Sequence, residues 1–313
     1  MPKIRVVVPT FRRPLLLFRL VEALEAQTLS PDDFEVVIVD NDSGDSTWAT
    51  LLELAERTPI NLRPMTATGD AARARNAGWR TATTPYLAFT DDDCFPEPKW
   101  LEAGLAAMEA DPTVGILQGC TKRPPHIGPG SDWTWYREIL GPTPWFEGCN
   151  LFCRTEAVAA AGGFDESMGW GAEDTMLGWG VLAAGWNRGF ADEAVVWHDN
   201  QERGVGAHIR YAWKVEGRLC TVARQFPALR QSLWRPWAVT PNNVAYAVAV
   251  IGALLGLFWK RPFFLLLLPY ASRRRPPLPH HRFFRLAGER LAVDTARFGA
   301  MTINAIKERQ FLL

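Results

Sequence analysis

The stretch Tyr86-Leu87-Ala88-Phe89-Thr90-Asp91-Asp92-Asp93-Cys94 decides the fold. It opens as a short apolar run of strand length and ends in three consecutive carboxylates. Working outward, Ile4 to Val8 is a similar run ended by Pro9, and Phe34 to Val39 another ended by Asp40. An apolar-periodic stretch from Leu15 to Leu24 lies between them and reads as helix. Continuous rather than alternating apolar character means that both faces of these strands are covered, the pattern of a parallel sheet in an α/β domain. In open sheets of that kind ligands sit beyond the carboxyl ends of the strands, so the polar residues after each run are where chemistry is expected.

The alternation continues. Trp48 to Glu56 reads as helix, Asn61 to Pro64 as a short strand and Asp70 to Thr81 as helix, all ahead of the Tyr86 strand. Beyond it come a helix over Leu101 to Ala110 and a strand around Gly115 to Gln118. A Pro/Gly-rich excursion, Pro124 to Pro144, follows and carries Trp133 and Trp135. Arg154 to Ala161 reads as a helix closed by Gly162 and Gly163, residues 174 to 184 as another, and Ala194 to Trp197 as a late strand.

With 313 residues, 48% of them hydrophobic and 22% charged, the chain can bury a large core, which excludes a disordered polymer. No internal repeat or heptad pattern marks a solenoid or coiled coil. The formal net charge is zero, yet residues 201 to 313 hold 18 basic against 5 acidic residues, leaving the front of the chain strongly acidic. An acidic front suits a site that holds cations, and a basic rear suits phosphate or an anionic surface. Five cysteines without a CxxC pair, behind an N-terminus that lacks an apolar signal-peptide core, fit a reducing cytoplasm. Cys149 and Cys153 read as two small buried thiols rather than a metal pair.

The tail differs from the rest. Val244 to Trp259 carries no charge, Lys260, Arg261 and Pro262 interrupt it, and Phe263 to Leu268 is again wholly apolar. Each run falls short of the ~20 residues that span a bilayer. Joined, they make a membrane-associating hairpin over 244–270, with Arg273, Arg274 and Arg275 beside it to meet anionic headgroups. A buried core helix is the alternative. Phe283 to Leu313 reads as helix.

Three adjacent carboxylates repel one another and need a counter-charge, which a divalent cation bound through oxygen supplies economically. In an extended segment Asp91 and Asp93 point the same way and Asp92 elsewhere. As a solvated turn the triplet would be unremarkable. Asp40, Asn41, Asp42 and Ser43 end the second strand with acceptors suited to a base edge or ribose hydroxyls, although turns favour such residues anyway. Gly69 and Asp70 lead into Arg73, Arg75 and Asn76, which can bring guanidinium forks toward phosphate oxygens.

Taken in order, Val6-Val7-Val8-Pro9-Thr10-Phe11-Arg12-Arg13, Ile38-Val39-Asp40-Asn41-Asp42-Ser43, Ala74-Arg75-Asn76-Ala77-Gly78 and Phe89-Thr90-Asp91-Asp92-Asp93-Cys94 resemble the nucleotide-binding half of family 2 glycosyltransferases of the GT-A fold. Gly148-Cys149-Asn150-Leu151, Gly162-Gly163-Phe164-Asp165-Glu166, Gly171-Ala172-Glu173-Asp174 and Val196-Trp197-His198 extend the resemblance, which covers residues 3 to 200. It implies a Rossmann-like three-layer α/β sandwich with a mostly parallel central sheet. The catalytic domain would fill 1–225, donor half 1–120 and acceptor half 121–225, ahead of a helical, basic, apolar extension over 226–313.

The resemblance further implies an inverting, nucleotide-sugar-dependent transferase. Pro9, Thr10, Arg12, Asp40 and Asn41 match the segments that hold the nucleoside, and Arg75 and Asp92 fall on the donor side. Asp91 and Asp93 match the DxD element that binds Mn²⁺ or Mg²⁺ on the diphosphate, with Asp93 the more direct ligand. His198 matches a further metal ligand of some GT-A enzymes, or is a structural hydrogen-bonder. Asp174 matches the catalytic base, and a helix N-terminus at that point would keep it ionised. Glu173 beside it, with Trp145 and Trp170, falls on the acceptor side, where aromatic faces stack on sugar rings; core packing is the other use of such tryptophans.

Two other readings compete. A nucleotidyltransferase acting on a sugar phosphate would place a Gly-rich loop after the first strand, where this chain has Thr10-Phe11-Arg12-Arg13. A dinucleotide oxidoreductase fails for want of GxGxxG, and no P-loop motif is present. A membrane-attached carbohydrate-binding module would leave the acid triplet and the Glu173-Asp174 pair without a purpose. The basic rear lies beside apolar runs rather than in an aromatic-interleaved groove, so a membrane surface is expected and nucleic acid is not. The expected partners are a nucleotide-sugar donor and a glycan or lipid-linked acceptor, and the expected location is the cytoplasmic face of the membrane.

Overall fold

The computed structural model describes residues 1–124, 133–135, 137–169, 171–199, 201–275, 283–309 and 312. Two compact units divide the chain, Met1–Glu202 and Arg203–Leu313.

In the first unit the strands are β1 (Ile4–Thr10), β2 (Phe34–Asp40), β3 (Leu62–Thr66), β4 (Tyr86–Thr90), β5 (Cys94–Pro96), β6 (Val114–Lys122), β7 (Thr134–Trp135), β8 (Asn150–Arg154), β9 (Asn187–His198) and β10 (Gln201–Glu202). The helices are α1 (Pro14–Glu25), α2 (Thr47–Arg57), α3 (Ala71–Arg80), α4 (Trp100–Ala110), α5 (Thr155–Ala160) and α6 (Glu173–Ala183). Eight strands form one sheet in the order β3-β2-β1-β4-β8-β6-β9-β5, and β7 pairs with β10 apart from it.

Strands β1 to β4 run parallel, as their unbroken apolar character predicts. Helix α1 begins with Pro14 in its first turn and buries Leu17, Leu20, Val21 and Leu24, one stripe at helical spacing. Helix α3 is capped by Asp70, whose carboxylate accepts the Arg73 N–H at 3.2 Å. It packs close over β1 because position 78 is glycine; a Cβ there would stand 2.5 Å from a Val7 methyl.

Three elements depart from the sequence expectation. Strand β8, absent from the sequence reading, runs antiparallel between β4 and β6. Its five residues follow a glycine segment and merge directly into α5, so no turn marks its end. Strand β5 ends in Pro96, which an edge strand tolerates because one side of it has no ladder to feed. Strand β9 begins at Asn187 rather than Ala194; its first residues are mostly exposed and polar, and a register shift opposite Gly119 and Cys120 joins the two halves.

The antiparallel β8 matters for the site. Its first residue pairs with the last of β4, Thr90 with Asn150, and the Thr90 hydroxyl donates to the Cys149 carbonyl at 2.9 Å. The Glu147-Gly148-Cys149 segment is therefore carried to the same rim as the acid triplet. Asn150 is fully buried and fixes that rim: its amide donates to the Cys120 and Ala194 carbonyls at 3.0 Å each and accepts from the Trp100 indole at 2.9 Å.

The second unit is helical: α7 (Val205–Lys214), α8 (Leu219–Gln225), α9 (Pro241–Phe258), α10 (Leu268–Arg274) and α11 (Phe283–Lys307). It begins earlier than the expected boundary at 225 because α8 belongs with α11. The Cys220 thiol reaches the Met301 carbonyl, and Thr221 and Arg224 donate to Glu308 at 3.0 and 2.7 Å. A tight turn over Arg261–Leu267 folds back on α9, and Gly252 and Gly256 make room for it. Cβ atoms there would stand 2.5 Å from Leu266 and 2.7 Å from the Phe264 ring.

Candidate active site

The residues expected on the nucleoside side come together at the carboxyl ends of β1 and β2. Thr10 and Asp40 are register partners, and the Asn41 N–H donates to the Thr10 carbonyl at 2.9 Å. Pro9 pairs with Val39 one step inward. The Ser43 hydroxyl donates to the buried Asp40 carboxylate. The Asn41 amide nitrogen donates to the Gly69 carbonyl at 3.0 Å, while its buried side-chain oxygen has no hydrogen-bond partner among the described residues. Arg12 sits at φ +54°, and its Nε donates to the Ser43 carbonyl at 2.8 Å, so its side chain follows the β2 rim.

The acid triplet forms a turn rather than an extended segment: the Cys94 N–H donates to the Asp91 carbonyl at 3.1 Å. The strand-like alternation expected of Asp91 and Asp93 therefore does not hold: Asp91 turns to Arg75, while Asp92 and Asp93 converge on Arg13. Asp91 accepts from Arg75 Nη2 at 2.7 Å. Asp92 accepts from the Thr10 hydroxyl at 2.7 Å and from Arg13 Nη1 at 2.7 Å. Asp93 accepts from the same Arg13 nitrogen at 2.8 Å and turns its other oxygen toward His198 Nε2, 3.7 Å away. Burial pushes Asp92 up to about 6, against the pull of Arg13 and with a further push from Asp93.

His198 ends β9 opposite Cys94 of β5. Its Nδ1 lies 2.9 Å from the Asp199 carbonyl, a contact in which Nδ1 donates, while Nε2 faces Asp93. That is the arrangement a metal ligand needs, its other nitrogen held by a backbone oxygen. Ligand atoms of Asp93, Cys94 and His198 lie within 4.8 Å of one another. A hard carboxylate with an imidazole suits a divalent ion such as Mn²⁺ or Mg²⁺ better than a thiolate would, and burial holds the Cys94 thiol well above its ordinary pKa. The donor set fits the expected cation through Asp93 and His198; Asp91 turns instead to Arg75.

Arg75 is the buried hub. Beyond Asp91 it donates through Nη1 to Glu173 Oε1 at 2.9 Å, and its buried Nε has no partner among the described residues. Ion pairs with Asp91 and Glu173 outweigh burial and raise its pKa. Position 148 must stay small beside it, since a Cβ there would stand 3.1 Å from the guanidinium carbon. Arg73, by contrast, pairs with Glu166 in solvent at 3.6 Å. Asn76 docks the 163–166 turn, donating to the Phe164 carbonyl and to Glu166 at 2.8 Å each.

Helix α6 starts abruptly after Ala172, a non-glycine residue at φ +63°, a strained approach of the kind that accumulates at functional sites. Glu173 spends both oxygens internally, one on Arg75 and one on the Gly171 N–H at 2.8 Å, so it braces the site rather than facing an acceptor. Asp174 accepts from the Gly148 N–H at 2.9 Å and from the Thr175 N–H at 2.7 Å. The expected effect of the helix start is outweighed: burial pushes the Asp174 pKa up despite those N–H groups and Arg75. Glu173 is pushed up to about 6 by burial and by the Asp174 charge. Trp145 is half-buried and its carbonyl accepts the Thr175 hydroxyl at 2.7 Å, which places it beside Asp174. Trp170 lies outside the described residues.

Arg13 and Gly148 are the residues that the sequence reading left without a role. The Arg12-Arg13 doublet offers two guanidinium groups, and only the left-handed backbone at Arg12 decides which one reaches the acids.

Comparison with known proteins bears on the family and the fold. Validoxylamine A glucosyltransferase of Streptomyces hygroscopicus subsp. limoneus is 28% identical over 279 residues, 78% of this chain and 60% of that protein. The pre-mycofactocin glycosyltransferase of Mycobacterium tuberculosis is 30% identical over 146 residues, 42% of this chain and 30% of its own. The chain thus spans about three fifths of the length of the first of these curated relatives. Among solved structures, the mannosyltransferase PcManGT from Pyrobaculum calidifontis in complex with GDP-Man and Mn²⁺ superposes with a TM-score of 0.70 at 23% identity, over 98% of this chain and 88% of that one. S. aureus TarS 1–349 in complex with UDP-GlcNAc gives 0.54 at 16% identity, over 98% and 92%. These two show the shared GT-A fold. The description "Glycosyl transferase family 2" matches residues 5–161, half of the chain, and to that family the chain belongs.

Proposed function

We propose that this chain transfers a sugar from a nucleoside-diphosphate donor to an acceptor hydroxyl by cation-assisted displacement with inversion. The observation that carries the reading is the buried guanidinium of Arg75, which ties Asp91, just beyond β4, to Glu173 at the start of α6. Donor-side and acceptor-side residues thereby meet at one side chain.

Thr10, Asp40 and the buried oxygen of Asn41 would take the nucleoside, and Asp93 with His198 would hold the divalent ion. Such an ion, when bound, stabilises the charge that builds on the departing diphosphate. Arg75 keeps its charge at any working pH and adds to that stabilisation. Asp174 takes the proton from the acceptor hydroxyl as it attacks; a pKa raised toward neutrality makes it a stronger base than a solvated carboxylate. With one base and no second carboxylate free to act as nucleophile among the described residues, a single displacement inverts the anomeric centre. The GDP-Man, Mn²⁺ and UDP-GlcNAc complexes of the two fold relatives support this donor class.

The second unit supports a membrane-associated setting and hence a glycan or lipid-linked acceptor. Helix α9 is long and apolar enough to cross a membrane by length and composition. Leu254, Leu257, Phe258, Trp259, Leu265 and Leu268 are exposed around its carboxyl end, beside exposed Lys260 and Arg261. The test is calorimetry with a panel of nucleotide-sugars, with and without Mn²⁺, followed by product stereochemistry for whichever donor turns over. Failure of every nucleotide-sugar to bind in the presence of Mn²⁺ would sink the reading.

A further inference from the structure

Asp93 is claimed from two sides. One oxygen faces His198 Nε2 at 3.7 Å; the other accepts from Arg13 Nη1 at 2.8 Å, and the same nitrogen holds Asp92 at 2.7 Å. A divalent ion on the His198 side and a guanidinium on the other would share one carboxylate and repel each other across it. We propose that Arg13 is an internal competitor of the cation, and that a nucleoside diphosphate relieves the competition by offering this guanidinium its phosphate oxygens. Cation and nucleotide then bind as a mutually dependent pair, each tightening the other by the same factor. The inference rests on the cation-assisted reading of the site given above.

Three observations single out Arg13 for this part. Its side chain is 33% exposed, whereas the Arg75 side chain is 5% exposed and locked between two carboxylates, so only Arg13 has room to swing. Its backbone is anchored at the head of α1, where its N–H donates to the Thr47 hydroxyl at 3.1 Å, so the side chain can move without disturbing the chain. Asp92 keeps the Thr10 hydroxyl at 2.7 Å after the guanidinium leaves, and is not stranded. Arg12 cannot substitute, because its Nε is held by the Ser43 carbonyl. A guanidinium suits the exchange, since its planar fork matches a diphosphate as well as a carboxylate pair.

The test measures Mn²⁺ affinity of the full chain by calorimetry and by the paramagnetic resonance of free Mn²⁺, alone and with GDP or UDP. Wild type is expected to bind Mn²⁺ weakly alone and about tenfold or more tightly with the nucleotide, a coupling within the usual allosteric range. Arg13→Met should bind Mn²⁺ alone more tightly than wild type, lose most of that coupling, and bind GDP or UDP more weakly. Arg13→Lys keeps the charge but not the fork, so it should retain weak Mn²⁺ binding and lose nucleotide affinity; it also serves if the methionine variant fails to fold. Mn²⁺ affinity of folded Arg13→Met at or below the wild-type value overturns the inference, as does wild-type nucleotide binding by Arg13→Lys. Absence of Mn²⁺ binding in every protein, with and without nucleotide, overturns the cation site itself and the competition with it.

Discussion

Arg75 and Glu173 form a buried ion pair, Nη1 to Oε1 at 2.9 Å, that joins α3 to the first residue of α6. Both side chains are nearly sealed from water, and Gly171 satisfies the remaining Glu173 oxygen. Removing one partner from a buried pair leaves an uncompensated charge and costs about 3–5 kcal/mol. Arg75→Ala should lose close to the lower figure, because Asp91, its second partner, keeps contact with solvent. Glu173→Gln retains an acceptor for Arg75 and should lose less than half as much. Urea denaturation followed by circular dichroism reads both; a wild-type midpoint for Arg75→Ala would show that the hub carries no stability.

The division of labour between Asp93 and Asp174 separates binding from turnover. Asp93 faces His198 and Arg13, whereas Asp174 faces Gly148 and Thr175, so neither carboxylate can do the other's work. Asp93→Ala should abolish Mn²⁺-dependent donor binding. Asp174→Asn should keep donor affinity and lower turnover by about 10²- to 10⁴-fold, the usual worth of a general base. Calorimetry and initial rates on the same preparations decide it, and full transfer activity in both variants would remove the assigned roles.

Much of this was legible before any coordinates. The strand ends at Thr10, Asp40 and Thr90 follow from unbroken apolar runs that stop at polar residues, and an open parallel sheet puts such ends on one rim. What escaped reading was set by contacts distant in sequence. Strand β8 has the length and composition of many loop segments, and only its fit between β4 and β6 makes it a strand. The turn at Asp91–Asp93 broke the strand alternation on which the pairing of Asp91 with Asp93 depended. Glu173 looked free for an acceptor because Arg75, almost a hundred residues earlier, gives no local sign of reaching it.

The Glu173-Asp174 pair also sets the pH response. Burial raises both groups; the Asp174 charge adds to the push on Glu173, which rises to about 6, and the Glu147 charge adds to the push on Asp174. The base, Asp174, must be ionised and its pKa is raised, so turnover should rise with pH through a limb above the ordinary carboxylate range and be lost as pH falls below it. Folding responds with the opposite sign. Because the folded chain holds these protons at higher pH than the unfolded chain does, the pair weakens stability as pH rises from the ordinary carboxylate range to about 6. Glu173→Gln should reduce that dependence. A kcat/KM profile with its acid limb near pH 4, where solvated carboxylates titrate, would contradict the buried pair.

The helical unit makes the last prediction. At ~1.5 Å per residue, the 18 residues of α9 extend ~27 Å, close to a bilayer core. Its first half is tied into the unit: the Tyr246 hydroxyl lies 2.7 Å from that of Thr295, and Asn243, Ala245, Ala247 and Ala249 are buried. The apolar surface lies at the other end, where Leu257, Phe258 and Trp259 are 69%, 84% and 70% exposed. Gly252 and Gly256 let the Arg261–Leu267 turn lie flat against α9, adding exposed Leu265 to the same tip, and Lys260 and Arg261 sit between the two arms. Each apolar side chain withdrawn from water contributes about 1.5–3 kcal/mol. Leu257→Asp with Phe258→Asp should therefore lower partition onto vesicles containing anionic phosphatidylglycerol by at least about tenfold. The melting temperature should hardly change, because both side chains already face out. Sedimentation with vesicles reads the partition, and equal binding by wild type and the double variant would place any membrane contact elsewhere.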